Sequence, residues 1–578
     1  MGKNEPKARV RKLRFYYPRV SFFFLFLLAL GIEIPQGVCT EPQPAKSLFD
    51  WVQEDIRKRV ESAGPSTQIH CQGERICESS VLPRFYSQRS FRPAWVTPQG
   101  DFAQADSLLQ AVQGADQEGL RAEDYRYSKL LGLAVEIREQ KIRRIPLSPE
   151  KLADLDLLLT DTFLIYAAHI LDGRVNPETI QAEWHARGRT LDLAEVLEKA
   201  LTSQRIGATL KDLLPLSPGY RRLRQCLADY RQLAQNGGWP LVPGGPQIRR
   251  GDWSSRIEFL RKRLILAGDL DPDPQAGGDF FDEKLDQALK RFQRRHGLDV
   301  DGIMGPATLA ALNIPVAERI WQIEINLERW RWLPQDLGQR YIWVNIANYG
   351  LEVIEKGNPV MAMRAVVGKR YQRTPVFSAL MTYMVFRPYW NVPPTIAKKE
   401  ILPLVQKEPD YLEKNEMKVF QGWAAGRKEI DPQSVNWAEL APENLVYNFR
   451  QEPGKLNSLG GIKFMFPNKF HVYMHDTPSR ELFQRTTREF SHGCIRIEMP
   501  IELALYLLQG LPEWSKENLL KEIGKSLDRI VRIPSPIPVH ILYFTSWVDE
   551  DGTVQFRNDI YGRDEPLKKA LDQKPPVL

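Results

Sequence analysis

Ser491-His492-Gly493-Cys494-Ile495-Arg496, with His475-Asp476 upstream and fifteen residues between His475 and Ser491, decides how the C-terminal half of this 578-residue chain is read. A cysteine attacks as its thiolate, so a catalytic thiol needs a base or a positive charge beside it. His475 closes an alternating run: His471, Tyr473 and His475 share one face, Val472 and Met474 the other. That pattern predicts a strand whose polar face lines a cleft and whose apolar face covers a core. Gly493 gives the backbone freedom just before Cys494, so amide N–H groups there can turn toward a developing oxyanion. Ile495 and Ile497 continue as a buried face, and Leu503, Leu507 and Leu508 predict a helix behind.

Two other readings stand beside this one. Cys494 is a structural cysteine if no base reaches it. It is a zinc ligand if His471, His475 and His492 converge on it, although no Cys-x-x-Cys or His-Glu-x-x-His spacing is present. Residue types and spacing alone leave the three open.

Outward from this stretch, a period of two begins at about 341. Ile342, Val344 and Ile346 alternate with polar or aromatic neighbours, as do Met361, Met363, Ala365 and Val367, with Gly357-Asn358-Pro359 as the turn between them. Residues 395–450 interrupt the β pattern with Pro, Glu, Lys and Asn and are read as a lid over the site. Beyond 510, Pro534, Pro536 and Pro538 lead into a strand at Val539–Phe544, and Val554-Gln555-Phe556 predicts another; His540 is read as structural.

Upstream the period is helical. Leu152, Leu155, Leu159, Phe163 and Tyr166 predict one buried helix face, ended by Asp172-Gly173 and Asn176-Pro177. Phe85, Tyr86, Trp95 and Trp184 are read as core. The organisation expected is therefore a leader or anchor (1–39), a linker (40–80), and a helical scaffold (81–250) completed by 314–340. A compact unit (251–313), a β-rich catalytic domain (341–510) and a C-terminal segment with closing strands (511–578) follow. The fold class is α+β, multidomain.

Within the compact unit, Ile257, Leu260 and Leu264 mark one helix and Leu285, Ala288, Leu289 and Phe292 a second, and Pro306 after Gly305 opens a third. The string Phe292-Gln293 with His296-Gly297-Leu298, Asp301-Gly302 and Gly305-Pro306-Ala307-Thr308-Leu309 resembles the three-helix peptidoglycan-binding domain attached to many wall enzymes. The resemblance implies affinity for glycan or stem peptide.

His475, fifteen residues, then Ser491-His492-Gly493-Cys494 resembles the signature of the L,D-transpeptidase catalytic domain, and the likeness extends over about 340–505. With the scaffold and the embedded binding unit, most of the chain after the leader resembles the large exported members of that family. Many relatives carry Asn two places after the cysteine where this chain has Arg496. The resemblance implies that Cys494 attacks the carbonyl between residues three and four of a stem tetrapeptide. His475 then moves the proton to departing D-alanine, and the thioester passes to the side-chain amine of a second stem. Asp476 orients the imidazole through its side chain or its backbone carbonyl. His492 and Gly493, with the Cys494 amide, position the sulfur and hold the oxyanion. Arg496 is a candidate for a stem carboxylate or a surface ion pair, and Ser491 shapes the loop more than it reacts. Tyr473, Trp390 and Asn391 line the cleft, unless Trp390 is core. The chemistry requires no metal or organic cofactor. The family resemblance also implies reactivity toward carbapenems.

The net charge of +7 is concentrated at the start. Residues 1–19 contain seven Lys or Arg and one Glu, and the rest is nearly neutral, which gives no footprint for nucleic acid. The basic segment runs into apolar Val20–Ile32, a secretory-signal pattern that is short for a membrane span. Both a cleaved leader and an uncleaved inner-membrane anchor fit; either places the mature chain in the periplasm or cell envelope. Of five cysteines, Cys39 belongs to the leader, Cys71 and Cys77 are a candidate disulfide or two free thiols, and Cys226 is read as buried.

Overall fold

The computed structural model describes residues 46–573, apart from 64–68, 78–79, 181–183, 186–187, 274–277, 423–427 and 526. The leader and Cys39 lie outside the described residues. Among the described residues, no helix is long and apolar enough to cross a membrane.

The helical part is organised by the helix Pro149–Asp172. Ser148 caps its start through its hydroxyl, Pro149 fits the first turn, and Gly173 ends it at φ 91°. It is buried on nearly all sides rather than on one face, with Leu155, Leu158, Leu159 and Phe163 fully enclosed. Its polar residues are tied to loops: the Asp156 carboxylate accepts the amides of Ala94 (2.9 Å), Trp95 (2.8 Å) and Val96 (3.0 Å) and the Tyr86 hydroxyl (2.6 Å).

The region expected as a linker is not one. Leu48–Ser62 is a helix with a Ser47–Asp50 capping box, and His70–Cys71 pairs with Glu74–Arg75. Val52, Ile56 and Val60 recur every fourth residue and join the helical core with Cys71 and Ile76. The charged residues between them make the segment read as a linker, yet they are only the solvent face of an amphipathic helix.

The compact unit has the three expected helices, Arg256–Leu266, Glu283–Arg295 and Pro306–Leu312, around Ile257, Leu260, Leu264, Leu285, Leu289 and Phe292. After it, the helix Val316–Arg331 packs on the helix Pro218–Gln235, and both contribute to the core of the β-rich part rather than to that of the helical scaffold.

The β-rich part is one sheet whose hydrogen-bonded order returns on itself. In chain order its strands are β1 (Arg340–Asn345), β2 (Gly350–Glu355), β3 (Asn358–Gly368), β4 (Phe377–Phe386), β5 (Ile462–Met465), β6 (Met474–His475), β7 (Glu489–Ser491), β8 (Ile495–Ile497) and β9 (Arg529–Leu542). The order is β7-β3-β8-β6-β5-β4-β9-β1-β2, and β2 pairs again with β3. The β2–β3 turn is Lys356-Gly357, both with positive φ, one residue earlier than the expected turn; Asn358 and Pro359 already belong to β3. β9 lies between β4 and β1, so the sheet is incomplete without the C-terminal segment. Its three prolines fall where the β4–β9 register shifts, between Arg532 and Ile537, and at the following position. Val554–Phe556 pairs with Ser546–Val548 as a separate two-stranded sheet.

The insertion after β4 is a folded subdomain. Trp390–Asn391, Tyr447–Gln451, Met417–Gln421 and Lys428–Ile430 form a four-stranded sheet, and helical turns from Pro394 to Lys414 cover it. Val392, Ile396, Ile401, Val405, Val419 and Phe449 give it a core of its own.

Candidate active site

Register brings the site together. On β6, Met474 stands beside Ile495 of β8 and Phe464 of β5, and all three are fully buried on the core face. One residue on, His475 stands beside Arg496 of β8 and Lys463 of β5, on the opposite face. That face opens into a cavity of about 620 Å³ lined by Lys463, Tyr473, His475, Ser491, His492, Cys494 and Arg496 from the sheet side, and by Trp390, Asn391 and Lys399 from the inserted subdomain. The expected strand from His471 is shorter than the alternation suggested. His471 has φ 56° and belongs to a turn in which the Asn468 side chain binds the Val472 amide (3.2 Å) and carbonyl (2.7 Å). His471 still lines the cavity, and its carbonyl lies 4.0 Å from the Cys494 sulfur.

Cys494 is half-buried. Burial pushes its thiol up; the backbone N–H and hydroxyl of Tyr473, and then Lys463 and Arg496, pull it down less strongly. Of the other described cysteines, Cys71 and Cys226 are buried with thiols pushed up to about 12 by burial, and Cys77 contacts Arg126. Cys71 and Cys77 are both free thiols.

His475 is enclosed, and burial, then the Arg496 charge, bring its imidazole down to about 3. Its Nδ1–H donates to the Asp476 carbonyl at 2.6 Å, leaving Nε2 as the nitrogen with the lone pair. The Asp476 carboxylate faces away: it accepts the Gly461 amide at 2.8 Å and lies 3.4 Å from Arg480. Of the two orienting groups in Asp476, only the carbonyl meets the ring.

The loop before Cys494 is closed by its own atoms. The Ser491 hydroxyl donates to the Cys494 carbonyl and accepts the Gly493 amide at 3.1 Å. Ser491 is therefore a loop clasp at the cavity wall, and the Gly493 N–H is engaged rather than directed at a ligand. Gly493 has φ 109°, a region that favours glycine. Its carbonyl accepts the Thr374 hydroxyl (2.9 Å), which in turn accepts the Gly368 amide (2.9 Å), while Tyr561 donates to the Gly368 carbonyl (2.6 Å). His492 turns to the subdomain and binds Glu400 through Nε2. Glu400 lies in a short π-helical segment, Ala397–Ile401, a distortion frequent at functional sites.

Arg496 forms no ion pair among the described residues, and its Nε is buried without a hydrogen-bond partner. Trp390 packs against the subdomain core and also lines the cavity. His540 is structural: it bonds Ser378 (2.8 Å) and the Leu337 carbonyl (2.9 Å). Among the described residues, no three His, Cys, Asp or Glu side chains are grouped to hold a metal. Sequence reasoning missed Lys463, which reaches the site across strand register, Glu400 from the insertion, Tyr561 from the terminal segment, and Thr374 from the β3–β4 connection through a side-chain bond.

A thiol and an imidazole thus lie on one cavity wall, beside a folded insertion in a β-rich domain. Residues 339–514 match the L,D-transpeptidase catalytic domain, 80–227 a scaffold domain, and 254–312 a domain described as "Putative peptidoglycan binding domain". Residues 339–514 are thus similar to an L,D-transpeptidase catalytic domain, in one polypeptide with segments similar to the scaffold and binding domains. It is 32% identical over 251 residues to a Haemophilus influenzae protein named "Putative L,D-transpeptidase", covering 43% of this chain and 49% of that protein. It is 43% identical over 68 residues to the N-acetylmuramoyl-L-alanine amidase CwlL of Bacillus licheniformis, covering 12% of this chain and 19% of that protein. The chain thus spans about half, or less, of the length of these curated relatives. A solved L,D-transpeptidase segment from Xylanimonas cellulosilytica covers 52% of this chain and 100% of its own at 17% identity, with a TM-score of 0.17 that carries no argument.

Proposed function

We propose that this protein is a peptidoglycan L,D-transpeptidase acting in the cell envelope by thiol-based acyl transfer. The observation that carries the reading is the joint presence of Cys494 and His475 on one cavity wall, with the imidazole Nδ1–H held by the Asp476 carbonyl. Burial disfavours the charged form of both groups. His475 Nε2 takes the thiol proton as sulfur attacks the carbonyl between stem residues three and four. The C–N bond breaks, the same proton goes to the departing amine of D-alanine, and a thioester remains on Cys494. The side-chain amine of a second stem then attacks the thioester, yields a proton to His475, and leaves joined to the donor; the proton returns to sulfur.

The Cys494 amide is the oxyanion donor in this reading, since the Gly493 N–H and the His492 ring already have partners. The Tyr473 hydroxyl steadies the sulfur. The subdomain supplies the opposite wall and limits water, which favours amine over hydrolysis. The binding unit keeps the domain at its polymer. The leader reading places the protein in the periplasm, free or held at the inner membrane.

The test is incubation of the purified protein with disaccharide-tetrapeptide and separation of the products. A dimer joined between two third residues, lost in Cys494→Ala, is the expected result. Tripeptide alone makes the protein a hydrolase, and no product from either form leaves a wall-binding scaffold.

A further inference from the structure

The scaffold helix Tyr127–Ile142 buries Leu130, Leu133, Ala134 and Ile137 and leaves a second apolar row, Leu131, Val135 and Ile142, exposed. Their spacing puts the three on one side of the helix. The row ends in the tip Lys141-Ile142-Arg143-Arg144-Ile145, in which Ile142 is 81% and Ile145 48% exposed. The helix closes there with the Ile145 amide donating to the Gln140 carbonyl (2.9 Å) and the Arg144 amide to the Lys141 carbonyl (3.1 Å). Arg144 thereby takes the left-handed position after the helix, at φ 57°, where glycine is the ordinary occupant. A side chain is held there against steric strain, and no ion pair joins this guanidinium among the described residues. Arg143 is 71% exposed and reaches Glu139 only at 3.8 Å. In such a closure the residue at position 145 commonly packs back on the last turns; Ile145 is exposed instead.

The tip lies beside the place where the chain enters the scaffold. Ser47 caps the helix Leu48–Ser62, and Leu48 and Leu147 both close over Gly100. Lys141 bonds the neighbouring Gln99 carbonyl (3.1 Å) and Asp101. Ahead of Ser47 the sequence carries the basic run and apolar Val20–Ile32, read above as a leader or anchor. A charged wall polymer would have a use for the arginines but none for the isoleucines. Apolar side chains flanked by cations suit the headgroup region of a bilayer, with the aliphatic groups among the upper acyl carbons and the guanidinium groups at phosphate.

We propose that this face of the scaffold, Leu131, Val135, Ile142 and Ile145 with Arg143 and Arg144, docks on an anionic phospholipid bilayer and holds the protein to the membrane at a second place besides its N-terminal segment. The proposal goes beyond the transpeptidase reading and rests on the leader reading alone. One tether leaves the body free to turn, and a second contact fixes which way it faces. The tether makes that contact intramolecular, so a weak one suffices.

The experiment is limited trypsin digestion of the full chain bound to vesicles, with cleavage after Arg143 and Arg144 followed by mass spectrometry against cleavage elsewhere in the chain. On vesicles of phosphatidylglycerol and phosphatidylethanolamine that cleavage is expected to be about tenfold slower than on phosphatidylcholine vesicles, since each arginine is drawn to the anionic surface. Raising the salt should restore it. Ile142→Ser/Ile145→Ser keeps both cleavage sites. It should melt as the wild type does and still sediment with the vesicles, yet lose the protection. Equal cleavage on the two kinds of vesicle overturns the proposal, and so does equal protection of wild type and variant. Protection by purified sacculi but not by vesicles makes the wall the partner and overturns it as well. If the full chain sediments with neither vesicle, it is the leader reading that fails, and the proposal with it.

Discussion

The Nδ1–H of His475 is held by the backbone carbonyl of Asp476 at 2.6 Å, while the carboxylate of that same Asp476 accepts the amide of Gly461 at 2.8 Å. One residue thus has two separate tasks: its backbone sets the imidazole tautomer, and its side chain pins the turn that leads into β5. Asp476→Asn is expected to keep kcat within about threefold and to lower stability by about 1.5–3 kcal/mol, the value of a hydrogen bond to a charged group. Thermal unfolding and steady-state kinetics on the same samples check both parts. A loss of activity by orders of magnitude with unchanged stability would assign the carboxylate to the chemistry.

Glu400 ties the inserted subdomain to His492 in the loop before Cys494. The pair is partly exposed, so its worth is limited by solvent screening to about 1 kcal/mol. Glu400→Gln is expected to reduce kcat about fivefold and to leave the melting temperature nearly unchanged. Alkylation of Cys494 in the absence of substrate should speed up in the variant if the subdomain restricts access.

The acid stability of the fold is set by buried neutral histidines. Burial, before any neighbouring charge, brings His169 and His475 down to about 3 and His296 well below its ordinary value. A depressed folded value means that stability is fully present above the unfolded value, about 6.5, and is lost as pH falls toward the folded one. Each such group is expected to remove about 2 kcal/mol between pH 6.5 and pH 5. Melting curves should therefore drop steeply over that interval, and His169→Gln should flatten the slope even if it lowers stability at pH 7.

Much of the site was legible because it is local. Gly493-Cys494 and the upstream His475 are close in sequence, and glycine before the nucleophile signals its φ directly. The three-helix unit was legible for the same reason, through Leu285, Leu289 and Phe292. What could not be read depends on pairing. Lys463 is an unremarked lysine until β5 is laid beside β6. Thr374 meets the loop from the β3–β4 connection, and Tyr561 reaches Gly368 and Thr374 behind it only because the chain returns from its terminus. Leu48–Ser62 was hidden by charged residues between Val52, Ile56 and Val60, and the first part of β9, before Val539, by three prolines that fall at and just beyond its register shift.

The Ser491–Cys494 loop is braced from behind by Thr374, which links the Gly493 carbonyl to the Gly368 amide. Thr374→Val leaves both groups without that partner and is expected to destabilise the fold by about 1–3 kcal/mol. Because the brace acts on loop position, kcat should fall while KM for the donor moves little. The reverse pattern would place Thr374 in binding rather than support.

The central claim is that the Cys494 sulfur carries the acyl group between the two stems. Mass spectrometry of the full protein quenched during turnover, followed by peptide mapping, tests it most directly. The account predicts an adduct on Cys494 with the mass of the donor less its departing residue, discharged when acceptor amine is added. Turnover to cross-linked product with no adduct on Cys494, or with Cys494 replaced by alanine, would contradict it.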